Sequence, residues 1–138
     1  MWPEVYELIK KHEGLRLKKY LCSQGYPTIG YGHKMINNEY EEITLEKAQE
    51  LLEEDVEEAY NSVLYIFPSF GGFSLNRKAA LIDMTFQLGA SGLKHFKKAV
   101  TLTNLGAWNE AADEYLDSLW ARQTPNRAKE VTDMIREG

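Results

Sequence analysis

Between Thr44 and Pro68 the apolar residues Ala48, Leu51, Leu52, Val56, Ala59, Tyr60, Val63, Leu64 and Phe67 recur at the spacing of one continuous amphipathic helix. Thr44 carries the hydroxyl of an N-cap, and Pro68 cannot continue a helix, so both ends are marked. A helix of about 23 residues is on the order of 35 Å long, more than one small lobe needs. It suits a strut joining two lobes, and the sequence obeys different rules on its two sides.

Ahead of the strut, Pro3 opens a helix in which Val5, Leu8, Ile9 and His12 share a face, and Gly14 closes it with Glu13 as its last residue. From Leu15 to His33 the pattern changes to short segments rich in Tyr20, Tyr26, Thr28, Ile29 and Tyr31. Gly25, Gly30 and Gly32 supply turns for one or two β-hairpins. Beyond the loop Pro68-Ser69-Phe70-Gly71-Gly72 the pattern is helical to the end. Helices are expected from Ser74 to Leu88 closed by Gly89, from Leu93 to Leu105 closed by Gly106, from Ala107 to Trp120, and from Pro125 to Arg136. Ser74 and Thr124 read as N-caps, and Trp108, Tyr115, Leu116, Leu119 and Trp120 read as core. The fold class is α+β and mostly helical, with a small sheet near the amino terminus.

Composition narrows the function. At 138 residues, 43% hydrophobic and 27% charged, the chain has the size of one domain and the make-up of a globular one. Its single cysteine, Cys22, excludes an internal disulfide framework. No apolar run approaches the ~18 residues of a membrane span, and Met1-Trp2-Pro3-Glu4 lacks the start of a signal peptide, so no membrane insertion and no signal peptide are expected. His12, His33 and His95 share no ligand spacing, so no metal is expected. The net charge of −5 argues against a nucleic-acid partner but is unevenly distributed: residues 39–58 hold ten acids and one base, a local −9, which leaves +4 on the other 118 residues.

Three residues carry candidate chemistry. Glu13 ends a helix, where the macrodipole is negative and disfavours a carboxylate, the condition for a general acid. Cys22 is a lone thiol beside the turn Ser23-Gln24-Gly25, and Thr28 lies in the next strand. Spacing alone is equally compatible with a solvated helix end, a small buried cysteine and an ordinary strand threonine.

The run Glu13-Gly14-Leu15-Arg16-Leu17-Lys18-Lys19-Tyr20, then Cys22, then Gly25-Tyr26-Pro27-Thr28-Ile29-Gly30-Tyr31-Gly32-His33, closely resembles the amino-terminal active-site region of phage-type lysozymes. Ile43-Thr44, Ala79-Ala80-Leu81, Phe86-Gln87-Leu88-Gly89, Trp108-Asn109-Glu110-Ala111-Ala112 and Gln123-Thr124-Pro125-Asn126-Arg127-Ala128 resemble that family's later blocks in order. The family pattern is a Glu, eight residues to an Asp or less often a Cys, then five residues to a Thr, and Glu13, Cys22 and Thr28 match it.

The resemblance implies a single domain over 1–138, with a sheet-bearing lobe at 14–51, a connecting helix at 52–67, a helical lobe of 1–13 plus 68–138, and an active-site cleft between lobes. It implies a monomeric, cofactor-free muramidase cleaving the β-1,4 bond between N-acetylmuramic acid and N-acetylglucosamine in peptidoglycan. Glu13 would protonate the glycosidic oxygen, Cys22 act on the opposite face of the sugar, and Thr28 help place a water molecule. By the same resemblance Gln24, Phe86 and Gln87 would line the cleft and Arg127 would orient the acid, while His33 and Asp55 would form a structural pair. The implied location is the host cytoplasm before release to the wall through a separate pore. Cys22 is the departure: a free thiol with pKa of about 8.5 is only a few per cent ionised at neutral pH, although Lys18 and Lys19 are near in sequence. The competing readings are a lytic transglycosylase or toxin-type muramidase, and a catalytically weak glycan-binding module.

Overall fold

Pro3, whose fixed φ suits a first helical turn, opens α1 (Pro3–Glu13) in the computed structural model, which describes residues 2–138. Then follow β1 (Arg16–Leu21), β2 (Pro27–Gly30), β3 (His33–Lys34), α2 (Leu45–Ile66), α3 (Leu75–Lys94), α4 (Lys97–Asn104), α5 (Trp108–Leu116), α6 (Leu119–Gln123) and α7 (Pro125–Glu137). The class is the expected α+β, mostly helical with one three-stranded antiparallel sheet ordered β1-β2-β3. The chain forms two compact units, Met1–Glu58 and Ala59–Gly138, with the boundary inside α2 and α1 in the first unit. No helix among the described residues is long and apolar enough to cross a membrane.

In the first unit, α1 buries Val5, Leu8 and Ile9 and ends where the Gly14 N–H donates to the Lys10 carbonyl at 2.9 Å. The sheet pairs Arg16 with Gly30, Tyr20 with Thr28 and Leu21 with Pro27, then Thr28 with Lys34 and Ile29 with His33. The free edge of β1 is covered by residues 41–43: the Lys19 N–H donates to the Glu41 carbonyl at 2.9 Å and the Ile43 N–H to the Leu17 carbonyl at 2.8 Å. Ile29, Met35, Ile43, Ala48 and Leu51 form the core of this unit, with Tyr31 and Tyr40 against it. Thr44 caps α2, its hydroxyl accepting the Lys47 N–H at 3.1 Å. The α2 stripe is buried at Ala48, Leu51, Leu52, Val56, Ala59, Val63 and Ile66, whereas Leu64 falls outside it and is exposed.

In the second unit, Ser74 caps α3 by accepting the Arg77 N–H at 3.2 Å. From Ala79 to Met84 this helix is buried on every side, so its residues are apolar except Asp83, which burial obliges to be paired. Gly89, at φ +73° and ψ 164°, breaks it where the sequence placed its end, but helical structure resumes to Lys94. Leu93 therefore belongs to that resumed segment, and α4 starts at Lys97 instead of Leu93. The helix expected from Ala107 to Trp120 is two helices. Ser118 interrupts it in an extended conformation, donating to the Tyr115 carbonyl at 2.6 Å and accepting the Ala121 N–H at 3.2 Å. The break rotates Leu116 and Leu119 out of the core, leaving them 37% and 61% exposed, while Tyr115 and Trp120 stay buried. Thr124 does not cap α7; its hydroxyl turns back to the Trp120 carbonyl at 3.0 Å. Tyr115 meets the Thr103 hydroxyl at 3.0 Å, and burial pushes its phenol up to about 12 although Thr103 opposes the change.

Candidate active site

Glu13, Cys22, Gln24, Thr28, His33 and Asp55 all fall in the first unit, and Phe86, Gln87 and Arg127 in the second. The turn between β2 and β3 sets the surroundings of Glu13. Gly32, at φ +73°, lies directly under its side chain, and a Cβ at that position would stand 2.7 Å from Glu13 Cδ. Only glycine accepts both the left-handed backbone and the carboxyl packed on it. Tyr20 also feels the acid: burial, then the negative charge of Glu13, then that of Cys22 raise its phenol, with Arg16 opposing them. Arg16 lies over the Tyr20 ring at 4.6 Å.

Cys22 and Thr28 are fixed by one carbonyl. The Cys22 N–H donates to the Tyr26 carbonyl at 2.9 Å, and the buried Thr28 hydroxyl donates to the same oxygen at 2.8 Å. The Gly25 N–H closes the intervening turn on the Cys22 carbonyl at 2.8 Å. Burial is the largest influence on the Cys22 thiol and raises it. The N–H groups of Gln24 and Tyr26, the Thr28 hydroxyl and the positive charge of Lys34 outweigh burial together and bring it below its ordinary value. The charge acting on the thiol is thus that of Lys34, and not of Lys18 or Lys19 as sequence proximity suggested. Lys19 is held by Glu41 at 2.8 Å, and Lys18 bridges Glu42 through its backbone at the outer edge of β1.

Gln24 is exposed in the turn, and its backbone N–H is the part directed at the thiol. His33 Nδ1 lies 2.7 Å from Asp55 Oδ2, tying β3 to α2 with both side chains about one-fifth exposed. The hydrogen bond to Asp55 raises the His33 imidazole above its ordinary value against the opposing effect of burial, with the charges of Asp55, Glu39 and Glu54 assisting. In the second unit Phe86 and Gln87 are half-buried neighbours on α3, and the Gln87 side-chain carbonyl accepts the Trp120 indole N–H at 2.8 Å. Arg127 grips Asp83 with both prongs, Nε to Oδ2 and Nη2 to Oδ1, each at 3.1 Å. Among the described residues no group of three or more His, Cys, Asp or Glu is arranged to hold a metal ion.

Sequence reasoning missed Asp83, Tyr20 and Lys34. For Asp83 the signal was present: an acid inside Ala79-Ala80-Leu81-Ile82-Asp83-Met84 sits where a lone charge is untenable and must have a cationic partner. Tyr20 and Lys34 needed the strand register.

A family model described as phage lysozyme matches residues 10–134. The chain belongs to the phage lysozyme family. Among its relatives, the pre-baseplate central spike protein Gp5 of Enterobacteria phage T4 is 31% identical over 157 residues, covering 96% of this chain but only 27% of Gp5. A probable T4-type lysozyme 2 of Dictyostelium discoideum is 30% identical over 158 residues, covering 96% of this chain and 93% of that protein. The endolysin of Salmonella phage P22 is 36% identical over 122 residues, covering 83% and 78%. The phage lysozyme match takes in the β1–β2 connection with Cys22, the strand with Thr28 and the helices that carry Gln87 and Arg127.

Proposed function

We propose that this protein is an endolysin-type muramidase that hydrolyses the β-1,4 bond between N-acetylmuramic acid and N-acetylglucosamine. Lysozyme-type hydrolysis of peptidoglycan in general follows from its family. The reading is supported above all by one juxtaposition: Glu13 is packed on the Gly32 turn of the same small sheet in which Cys22 and Thr28 share the Tyr26 carbonyl. In this reading the protonated Glu13 carboxyl gives its proton to the glycosidic oxygen as the bond to the muramic acid C1 breaks. A water held by Thr28 adds to C1 from the other face and passes its proton to the Cys22 thiolate. Proton exchange with solvent then restores both groups. Gln24, Phe86 and Gln87 contact the glycan, and Arg127 orients the acid, in the same proposal.

The chain acts as one lysozyme domain over 1–138, monomeric, with a sheet-bearing lobe at 14–51, a connecting helix at 52–67 and a helical lobe of 1–13 plus 68–138, and reaches the wall from the host cytoplasm through a separate pore. Mass analysis of the products in heavy-oxygen water tests the bond and the reaction. Reducing-end muramic acid carrying one solvent oxygen is expected. Anhydro-muramic ends without solvent oxygen would mean a transglycosylase, and glycan binding without new ends would mean a binding module.

A further inference from the structure

The strand register places Lys34 where no sequence spacing suggests. Residues directly opposite one another in an antiparallel pair share a face of the sheet, and alternate residues along a strand return to it. Tyr20 opposite Thr28, and Thr28 opposite Lys34, therefore form one cross-strand row over all three strands. Tyr26 stands two residues from Thr28 and faces the same way, and the Lys34 ammonium lies over its ring, 5.4 Å from the centroid. Cys22 is tied by its own N–H to the Tyr26 carbonyl that also holds the Thr28 hydroxyl. A cation, a thiol and a hydroxyl thus converge on one tyrosine. Lys19, Lys47, Lys98 and Lys129 each meet a carboxylate, whereas Lys34, like Lys10 and Lys94, lies over an aromatic ring and among the described residues has no acid partner.

We propose that Lys34 is a positioning residue for Cys22: held over Tyr26, its ammonium is the counter-charge that lets a cysteine serve as the anionic partner of Glu13. The inference rests on the proposed role of Cys22 in glycan hydrolysis and supplies what that role lacks, since a thiol without a counter-charge is mostly protonated at neutral pH. The other groups around the thiol do not provide a cation. Tyr20 on β1 is a neutral phenol near neutrality, Arg16 is engaged on the Tyr20 ring, and Glu13 on α1 is itself acidic. The Gln24 and Tyr26 N–H groups and the Thr28 hydroxyl act as donors to sulfur. Thr28 has a single proton, which goes to the Tyr26 carbonyl when sulfur is protonated and is free to turn to sulfur when it is ionised.

The test follows Cys22 alkylation by iodoacetamide against pH in the full chain, with lysis of a peptidoglycan suspension measured in parallel. The reagent is uncharged, so removing a lysine does not change its local concentration. Lys34→Met is expected to move the alkylation midpoint to higher pH and to slow the neutral-pH reaction about three- to tenfold. Lys34→Arg is expected to restore most of the rate, which a purely structural role would not require. In the unaltered protein, added salt should move the midpoint the same way by screening an exposed charge. A midpoint unmoved both by Lys34→Met in a folded variant and by salt would overturn the proposal. The functional reading fails separately: full lysis by Cys22→Ala would remove Cys22 from the reaction, while the alkylation profile would still decide whether Lys34 is its counter-charge.

Discussion

Each unit of the molecule contains a part-buried ion pair that joins two elements, Arg127–Asp83 in one and His33–Asp55 in the other, and the two are built in opposite ways. In the second unit Asp83 is fully buried and Arg127 is 11% exposed, and the guanidinium holds the carboxylate through two bonds of equal length. In the first unit His33 and Asp55 remain open to water and share one contact of 2.7 Å. An arginine pair is charged at any ordinary pH, so it acts as a permanent clamp between α3 and α7. A histidine pair is an ion pair only while the imidazole is protonated, and when neutral it keeps at most a hydrogen bond. The second unit, with its apolar helix and buried phenol, is built for permanence. The first carries the candidate chemistry on glycine turns and half-exposed side chains, and its stability depends on conditions.

The sharpest way to break this contrast is Asp83→Ala, which removes the buried carboxylate that Arg127 grips through two hydrogen bonds. It should lower stability by about 3–5 kcal/mol, read as a thermal or denaturant shift that is nearly constant from about pH 5 to 8. A loss below about 1 kcal/mol would mean that the pair is dispensable.

Gly32→Ala comes next. The new Cβ meets the Glu13 side chain, and the left-handed backbone itself costs about 1–2 kcal/mol. Lysis should fall about tenfold or more beyond what the stability loss explains, since a displaced acid no longer reaches the glycosidic oxygen. Undiminished lysis would mean that the turn does not position Glu13.

His33→Asn addresses the titratable clamp. Because folding raises the His33 pKa, its contribution is fully present below the ordinary value of about 6.5 and fades as pH rises through the folded-state value. The variant should lose about 1–2 kcal/mol at about pH 5.5 and much less at about pH 8. Equal losses at both pH values would show that packing, not charge, explains the residue.

The smallest effect concerns encounter with an anionic wall. The first 38 residues carry six bases and three acids, a local +3, next to the −9 of residues 39–58. Glu53, Glu54, Glu57 and Glu58 are all exposed on α2. Replacing the four with Gln should raise lysis about two- to tenfold at low salt, and the gain should vanish at high salt. A gain that survives salt would point to a cause other than long-range charge.

Local punctuation made much of the fold legible. Pro3, Gly14, Thr44, Ser74 and Gly89 mark helix ends by mechanisms that need only their near neighbours, and the structure has helix ends or breaks at each. The failures came where a longer pattern concealed a local competitor. Leu116, Leu119 and Trp120 keep helical spacing straight through Asp117 and Ser118, so nothing in their periodicity announces that the Ser118 side chain takes over the backbone bonds. The His33–Asp55 contact could be anticipated because it joins two recognisable elements. Lys34 could not, because its place opposite Thr28 depends on the exact residues around which the β2–β3 turn closes, and a one-residue slip would send it to the other face.

The central claim is that Glu13 supplies the proton that breaks the glycosidic bond, and Glu13→Gln tests it most directly because the amide keeps the shape and removes the transferable proton. Turbidity loss of a peptidoglycan suspension should fall about 100- to 10,000-fold in a variant that still folds and still binds the glycan. Lysis within a few-fold of the unaltered protein would contradict the account and remove Glu13 from the reaction.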